Sequence, residues 1–258
     1  MRLGADPEVF LKDRNNKHLS VIGMIGAGKE DPLQVPGMPK GFTLQEDNVA
    51  LEFGQPPAAT ADEFVFNTRA AMLAGLSTLK GKRFSRLSCT VFEEDQMSHP
   101  MAHIFGCEPD FDAYTGKKNS KPVPPHPFLR SAGGHIHVEL PKKTTQKEKR
   151  LLARAMDLYL GVPSVLMDKD AGRRQLYGKA GCLRYKPYGM EYRTLSNFWI
   201  FKKPLIRWVW SQTARAMEAT KEPSWDNNIT TTLVKRAINE NNKEIAEFLV
   251  SLHNLEVV

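Results

Sequence analysis

Strand-like and helical segments follow one another along this chain without a regular strand–helix–strand repeat. The strand-like segments are short, apolar and bounded by turn residues, whereas the helical ones carry apolar side chains at helical spacing. Strands are predicted at residues 8–11, 19–22, 48–53, 84–92, 135–140 and 190–196. Helices are predicted at about residues 60–79, 145–161, 204–220 and 231–252. This order predicts an α+β fold with a mostly antiparallel sheet and flanking helices.

The chain is long enough to bury a sizeable core. Its 258 residues are interpreted as one domain, residues 1–258, with C-terminal helices at about 204–252. No apolar run approaches the roughly 20 residues of a membrane helix, and the N-terminus lacks the apolar core of a signal peptide. Three cysteines without a C-x-x-C pair (Cys89, Cys107 and Cys182) indicate free thiols in a reducing compartment. We therefore expect a cytoplasmic protein with no membrane partner.

The charge of the chain is uneven. It carries 36 Lys and Arg against 29 Asp and Glu, a net charge of +7, and the basic excess lies entirely after residue 100. Such asymmetry indicates a polyanionic partner, either a nucleic acid or a nucleoside triphosphate. The densest basic window comprises Arg173, Arg174, Lys179, Arg184, Lys186 and Arg193.

A glycine-rich segment at residues 23–30 nearly matches the phosphate-binding pattern G-x-x-x-x-G-K-[ST]. Glu30 stands where the pattern needs a hydroxyl, and prolines follow where a helix should begin. The segment is therefore predicted to be a turn between strands. Lys29 remains a candidate for contact with an anion.

The run Gly-Gly-His-Ile-His-Val-Glu at residues 133–139 places several polar side chains on one face of a strand. Alternate residues of a strand point to the same side, so His135, His137 and Glu139 share a face opposite an apolar one. Two neighbouring imidazoles indicate a metal or phosphate site, and the preceding glycines allow a ligand to approach closely. A solvent-facing polar face is the alternative.

Acidic residues occur on three separate predicted strands, at Glu8, Glu52 and Glu191, with Asp6 on the same side as Glu8. Two carboxylates about 4 Å apart repel each other by roughly 4 kcal/mol at an effective dielectric constant of 20. If the strands belong to one sheet, the cluster requires cations between its members. Oxygen ligands with one histidine suit Mg²⁺ or Mn²⁺ better than a structural zinc ion. Each glutamate alone could equally be a solvated residue.

The stretch at residues 173–184 is basic and is interrupted by glycines. It is predicted to be an ordered loop that lies close to a ligand. Arginine binds phosphate through two parallel hydrogen bonds, and a solvated basic loop is the alternative. Glu191 and Arg193 follow directly, and their spacing puts a carboxylate and a guanidinium on one strand face.

Five motifs together resemble a known family. They are the sequences at residues 4–8, 47–53, 130–138, 173–181 and 191–199. In combination they resemble the phage-encoded carboxylate–amine ligases of type 2, which are placed in the amidoligase fold with glutamine synthetase and glutamate–cysteine ligase. The resemblance spans about residues 3–200.

The resemblance implies an ATP-dependent, Mg²⁺- or Mn²⁺-dependent ligase in the host cytoplasm. ATP would phosphorylate an unidentified carboxylate, and an unidentified amine would displace phosphate from the acyl phosphate. The implied metal ligands are Glu8, with Asp6 as its alternative, Glu52, His135 and Glu191. The implied catalytic residues are His137, Arg193 and Arg174. The implied triphosphate-binding residues are Arg173, Arg174, Lys179 and Arg184, with Lys29 as a further candidate.

Two other functions compete with this interpretation. A cupin-like metal enzyme also uses a His-x-His strand, but it would need a further histidine and few arginines. A basic nucleic-acid-binding protein would bind DNA without ATP and with a steep salt dependence. Basic side chains at residues 142–154 could support that second function, although such a run is usually a solvated helix face.

Overall fold

The computed structural model describes residues 1–104 and 110–258. The strands are β1 (Leu3–Val9), β2 (Leu11–Lys12), β3 (His18–Leu19), β4 (Leu33–Gln34), β5 (Thr43–Asp47), β6 (Ala50–Gly54), β7 (Arg83–Phe84), β8 (Cys89–Val91), β9 (Phe111–Asp112), β10 (Leu129–Ser131), β11 (Gly134–Glu139), β12 (Cys182–Lys186) and β13 (Gly189–Tyr192). The helices are α1 (Ala61–Thr78), α2 (Gln146–Met156), α3 (Val162–Met167), α4 (Gly172–Leu176), α5 (Lys203–Ala219), α6 (Asn228–Asn239) and α7 (Lys243–Leu252). Short 3₁₀ segments lie at Glu94–Met97, Pro100–His103 and Asn197–Phe201.

Eight strands form one sheet in the order β4-β5-β6-β1-β11-β13-β12-β9, and every neighbouring pair is antiparallel. The α+β prediction with an antiparallel sheet and flanking helices is therefore confirmed. Because side chains alternate along each strand, one face of the sheet is apolar and packs against α1 and α2. The other face carries the charged side chains.

The helix starts agree with the sequence. Thr60 precedes α1, and its hydroxyl accepts the Glu63 N–H. Thr145 and Glu148 form a complete capping box at the start of α2. The amphipathic helix α5 begins at Lys203, close to the predicted start.

The predicted end of the second helix at about residue 161 is wrong. The chain continues from α2 through a π-helical turn, Asp157–Gly161, directly into α3. Pro163 lies in the first turn of α3, where its missing N–H costs no helical hydrogen bond. The lack of a side chain at Gly161 permits close packing, because a Cβ at this position would lie 2.6 Å from Ile238 Cδ1.

Two other boundaries differ from the prediction. The expected helix over residues 231–252 is divided into α6 and α7 by Asn241, whose φ of +50° ends the first helix. The expected strand over residues 84–92 is interrupted. The N–H groups of Ser88 and Cys89 bind the Asp170 carboxylate instead of a neighbouring strand, at 2.7 and 2.8 Å.

The glycine-rich segment 23–30 is a turn between β3 and β4, as predicted, and no helix follows it. Its backbone N–H groups bind a carboxylate of the chain itself. Gly23, Ile25 and Gly26 donate to Glu46 at 2.9, 2.7 and 2.9 Å. These amides are therefore engaged by Glu46 in the folded chain.

Cys89 and Cys182 are free thiols as expected, and Cys107 lies outside the described residues. Over residues 1–104 and 110–258, none of the helices has both the length and the apolar character needed to cross a bilayer.

Candidate metal and phosphate site

The strand register brings the predicted acidic and imidazole side chains onto one face of the sheet. Glu8 on β1 is paired with Glu52 on β6, and Asp6 is paired with His135 on β11. His137 is paired with Glu191 on β13, and Glu191 is paired in turn with Arg184 on β12. The glutamates of three separate strands thus belong to one sheet, as the metal-site prediction required.

One group of potential ligands comprises Asp6, His137 and Glu191, which we call the imidazole cluster. Their ligand atoms all lie within 4.8 Å of one another. His137 Nε2 is 3.0 Å from Asp6 Oδ1. His135 borders this cluster, with Nδ1 3.2 Å from Asp6 Oδ1 and 3.5 Å from Glu191 Oε1.

A second group, which we call the carboxylate cluster, comprises Glu8, Asp47 and Glu52, again with ligand atoms within 4.8 Å. Glu8 Oε2 also accepts the Gly133 N–H at 2.6 Å. Sequence reasoning missed Asp47, although it stands at the start of one of the five motifs. The available signal was its position beside Asn48 in a tight hairpin turn, where Asn48 has a φ of +57°.

The charges of the two clusters differ. Burial and the Asp47 carboxylate raise the pKa of Glu8 to about 7, and burial also raises the pKa of Asp47. Burial and Asp6 act to raise the pKa of Glu191, but nearby cations, chiefly Arg193, outweigh them and hold it at about 2. Nearby positive charge is therefore too small to offset the carboxylates of the carboxylate cluster, whereas Glu191 has more positive charge around it than it needs.

Basic side chains surround Glu191, which is fully buried. Arg193 donates to its Oε1, Arg184 Nη1 lies 3.1 Å from Oε2, and Lys186 Nζ lies 3.2 Å from Oε2. Burial and the positive charge of Arg193 lower the pKa of His135 to about 4, so this imidazole is neutral at pH 7.

Arg173 is buried beside His135. Its Nη2 lies 3.0 Å from His135 Nε2, and its Nη1 donates to Ser131 Oγ at 3.1 Å. Its buried Nε has no hydrogen-bond partner among the described residues. A donor left unpaired in this way is well suited to an anionic ligand.

Three predicted phosphate-binding residues lie elsewhere. Arg174 bonds Ser164 and Asn241 at 3.1 and 3.2 Å, within the helical layer. Lys179 is exposed, and Arg184 faces Glu191. Arg174, Lys179 and Arg184 are all absent from the walls of the cavity beside the carboxylate cluster. The stretch at residues 173–184, predicted to be a loop, instead consists of most of α4, a turn and the start of β12.

A cavity of about 230 Å³ opens beside the carboxylate cluster. Its charged wall includes Glu8, Asp47, Lys29, Arg173 and Arg193. Its apolar wall consists of Phe10, Val49, Ala50, Met101 and Ile104. The Asn48 amide fixes that wall by donating to the carbonyls of Met101 and Ile104, both at 2.8 Å.

The antiparallel α+β sheet with its row of carboxylates fits the amidoligase fold. The sequence model of the phage phiEco32-like COOH·NH2 ligase family, type 2, matches residues 119–255, which is more than half of the chain. The chain belongs to this family. The family is one of carboxylate–amine ligases, enzymes that join a carboxylate to an amine through a C–N bond. A search among curated proteins finds no match.

The family match and the motif resemblance overlap only in part. The match begins at residue 119, so it includes the motifs around His135, Arg173 and Glu191 but leaves Glu8 and Glu52 uncovered. It also covers the C-terminal helices, in which the sequence showed no motif.

Proposed function

We propose that this ligase uses ATP and Mg²⁺ to phosphorylate a carboxylate, and that an amine then displaces phosphate from the acyl phosphate. One observation carries the proposal: two ligand clusters lie beside buried arginines, and one of them borders a cavity with an apolar wall. Phosphoryl transfer depends mainly on positioning and on neutralising charge, and these side chains can do both.

The donor sets fit divalent cations. The carboxylate cluster offers only oxygen, as Mg²⁺ prefers, and the imidazole cluster adds one nitrogen, which Mn²⁺ also accepts. In this proposal His137, rather than His135, is the histidine ligand, because only His137 belongs to a three-ligand cluster. When bound, the cations would neutralise the negative charge of the phosphate oxygens.

The arginines and the apolar wall have separate tasks in this proposal. Arg173 and Arg193 are buried residues that line the cavity, and they bind the phosphoryl group that is transferred. The apolar wall at Met101 and Ile104 receives the nucleobase, whose ring faces are apolar. Lys29, exposed at the edge of the cavity, contacts the outer part of the triphosphate.

Calorimetric titration with ATP tests the proposal. ATP is expected to bind in the presence of Mg²⁺, and excess EDTA is expected to abolish the binding. Restoring Mg²⁺ should restore it, which controls for damage to the protein. ATP binding of equal strength with and without metal would contradict the assignment.

The affinity for Mg²⁺ is expected to rise between about pH 6 and about pH 8. Because the pKa of Glu8 is raised to about 7, its carboxyl holds a proton at the lower pH, and a cation must displace that proton. At the higher pH the carboxylate is already ionised. Calorimetry at several pH values, in buffers of different ionisation enthalpy, measures both the affinity and the protons released. A constant affinity with no proton release would count against Glu8 as a ligand.

The structure gives little support to the two alternative functions, a cupin-like metal enzyme and a nucleic-acid-binding protein. Both ligand clusters in residues 1–104 and 110–258 contain at most one imidazole, whereas a cupin-like site needs more. On α2, Arg154 is paired with Asp226, and Lys149 donates to the Lys186 carbonyl. These two basic side chains are thus engaged within the chain rather than presented to a nucleic acid.

A further inference from the structure

Tyr188, in the turn between β12 and β13, contacts the outer side of His137. Its hydroxyl lies 2.7 Å from His137 Nδ1, and the two rings are stacked with an interplanar angle of 20° and centroids 5.8 Å apart. The other ring nitrogen, Nε2, lies 3.0 Å from Asp6 Oδ1. His137 is therefore held between Tyr188 at one ring nitrogen and Asp6 at the other.

The backbone around Tyr188 is fixed on both sides. Its carbonyl accepts the Leu140 N–H at 2.9 Å, at the end of β11. The next residue is Gly189, where a Cβ would overlap the Val138 carbonyl oxygen, so only glycine lets the hairpin approach β11 this closely. Tyr188 is thus placed over His137 by main-chain contacts, although the residue is 41% exposed.

We propose that Tyr188 is a positioning residue that keeps His137 Nε2 directed at the metal side of the imidazole cluster. The inference rests on the proposed function, in which His137 is a ligand. Histidine ligands generally bond a second group through their other ring nitrogen, and this partner fixes both the orientation and the tautomer of the ring.

A hydroxyl suits this task because it can both donate and accept a hydrogen bond. When His137 is neutral and no metal is bound, the ring can carry its proton on Nε2, facing Asp6, and the Tyr188 hydroxyl then donates to Nδ1. With a cation on Nε2, the proton resides on Nδ1 and is donated to the Tyr188 oxygen. The same contact therefore supports the ring in both states without movement of the turn.

The variant Tyr188→Phe tests the inference, because it retains the stacked ring and removes only the hydroxyl. Tyr185→Phe is the matched control. Tyr185 lies in the same hairpin and packs on Phe111 at 4.9 Å, and its hydroxyl has no hydrogen-bond partner among the described residues. Mn²⁺ binding to the nucleotide-free protein would be measured by calorimetry for the wild type and both variants.

In Tyr188→Phe, Mn²⁺ affinity at one class of site is expected to fall by about 10–100-fold, the usual effect of losing the partner of a histidine ligand. The affinity of the carboxylate cluster, whose members lie on β1, β5 and β6, should not change, and Tyr185→Phe should bind as the wild type does. Mn²⁺ binding by Tyr188→Phe indistinguishable from the wild type would overturn the inference and leave the proposed function standing. A wild type that binds no Mn²⁺ would instead overturn both.

A second measurement does not require metal. The ¹⁵N shifts of the His137 ring in the metal-free protein report which nitrogen carries the proton. A hydrogen-bonded Nδ1 is expected in the wild type and in Tyr185→Phe, and its signature should disappear in Tyr188→Phe. Identical ring shifts in all three proteins would show that Tyr188 does not orient His137.

Discussion

Glu191→Gln is expected to lower turnover by at least about 10²–10³-fold, the scale on which loss of one preorganised charged group acts in an active site. It removes a charged ligand from the imidazole cluster. It also leaves Arg184 and Arg193 without their shared anion, and breaking a buried ion pair costs about 3–5 kcal/mol. The structure therefore predicts loss of stability as well as loss of activity.

Because the variant is expected to be less stable, its activity must be compared with that of a change to another buried carboxylate outside the site. Asp157→Asn provides this control. Asp157 is a fully buried carboxylate outside the cavity, and it accepts hydrogen bonds from Tyr114 and Tyr192 at 2.9 and 2.8 Å. Urea unfolding identifies conditions in which both variants are folded. There Asp157→Asn should turn over near the wild-type rate, and comparable turnover by Glu191→Gln would refute its role.

The parts of the site that sequence predicts well are those set by local geometry. Side chains alternate along any strand, so the shared face of Asp6 and Glu8, or of His135 and His137, follows from spacing alone. The pairing of Glu8 with Glu52 depends on the register between strands far apart in sequence. No local pattern fixes that register.

The contrast between Arg173 and Arg174 shows the same limit in a helix. Adjacent residues of a loop can both face one ligand, but adjacent residues of an α-helix point about 100° apart. Because these residues form α4, Arg173 faces the cavity and Arg174 faces Ser164 and Asn241. Likewise, Gly161 lies beside Ile238, a neighbour far away in sequence that no local pattern predicts.

Arg193→Lys is expected to lower kcat by about 10²–10³-fold, or roughly 3–4 kcal/mol, although the positive charge is retained. The Arg193 guanidinium is buried, lines the cavity, donates to Glu191, and lies 3.6 Å from Asp110 Oδ2 and 3.4 Å from His135 Nδ1. An ammonium group is a point charge and cannot bridge these groups and a phosphoryl group at once. ATP affinity should fall much less, because Arg173 still lines the cavity.

Arg184→Lys is the matched control for this variant. Arg184 is buried and pairs with the same carboxylate, with Nη1 3.1 Å from Glu191 Oε2, but it does not line the cavity. If Arg193 acts on the phosphoryl group, Arg193→Lys should lose turnover and Arg184→Lys should lose mainly stability. Steady-state kinetics and urea unfolding on both purified variants separate these effects. A kcat for folded Arg193→Lys within a few-fold of that for Arg184→Lys would mean that Arg193, like Arg184, serves only to neutralise Glu191.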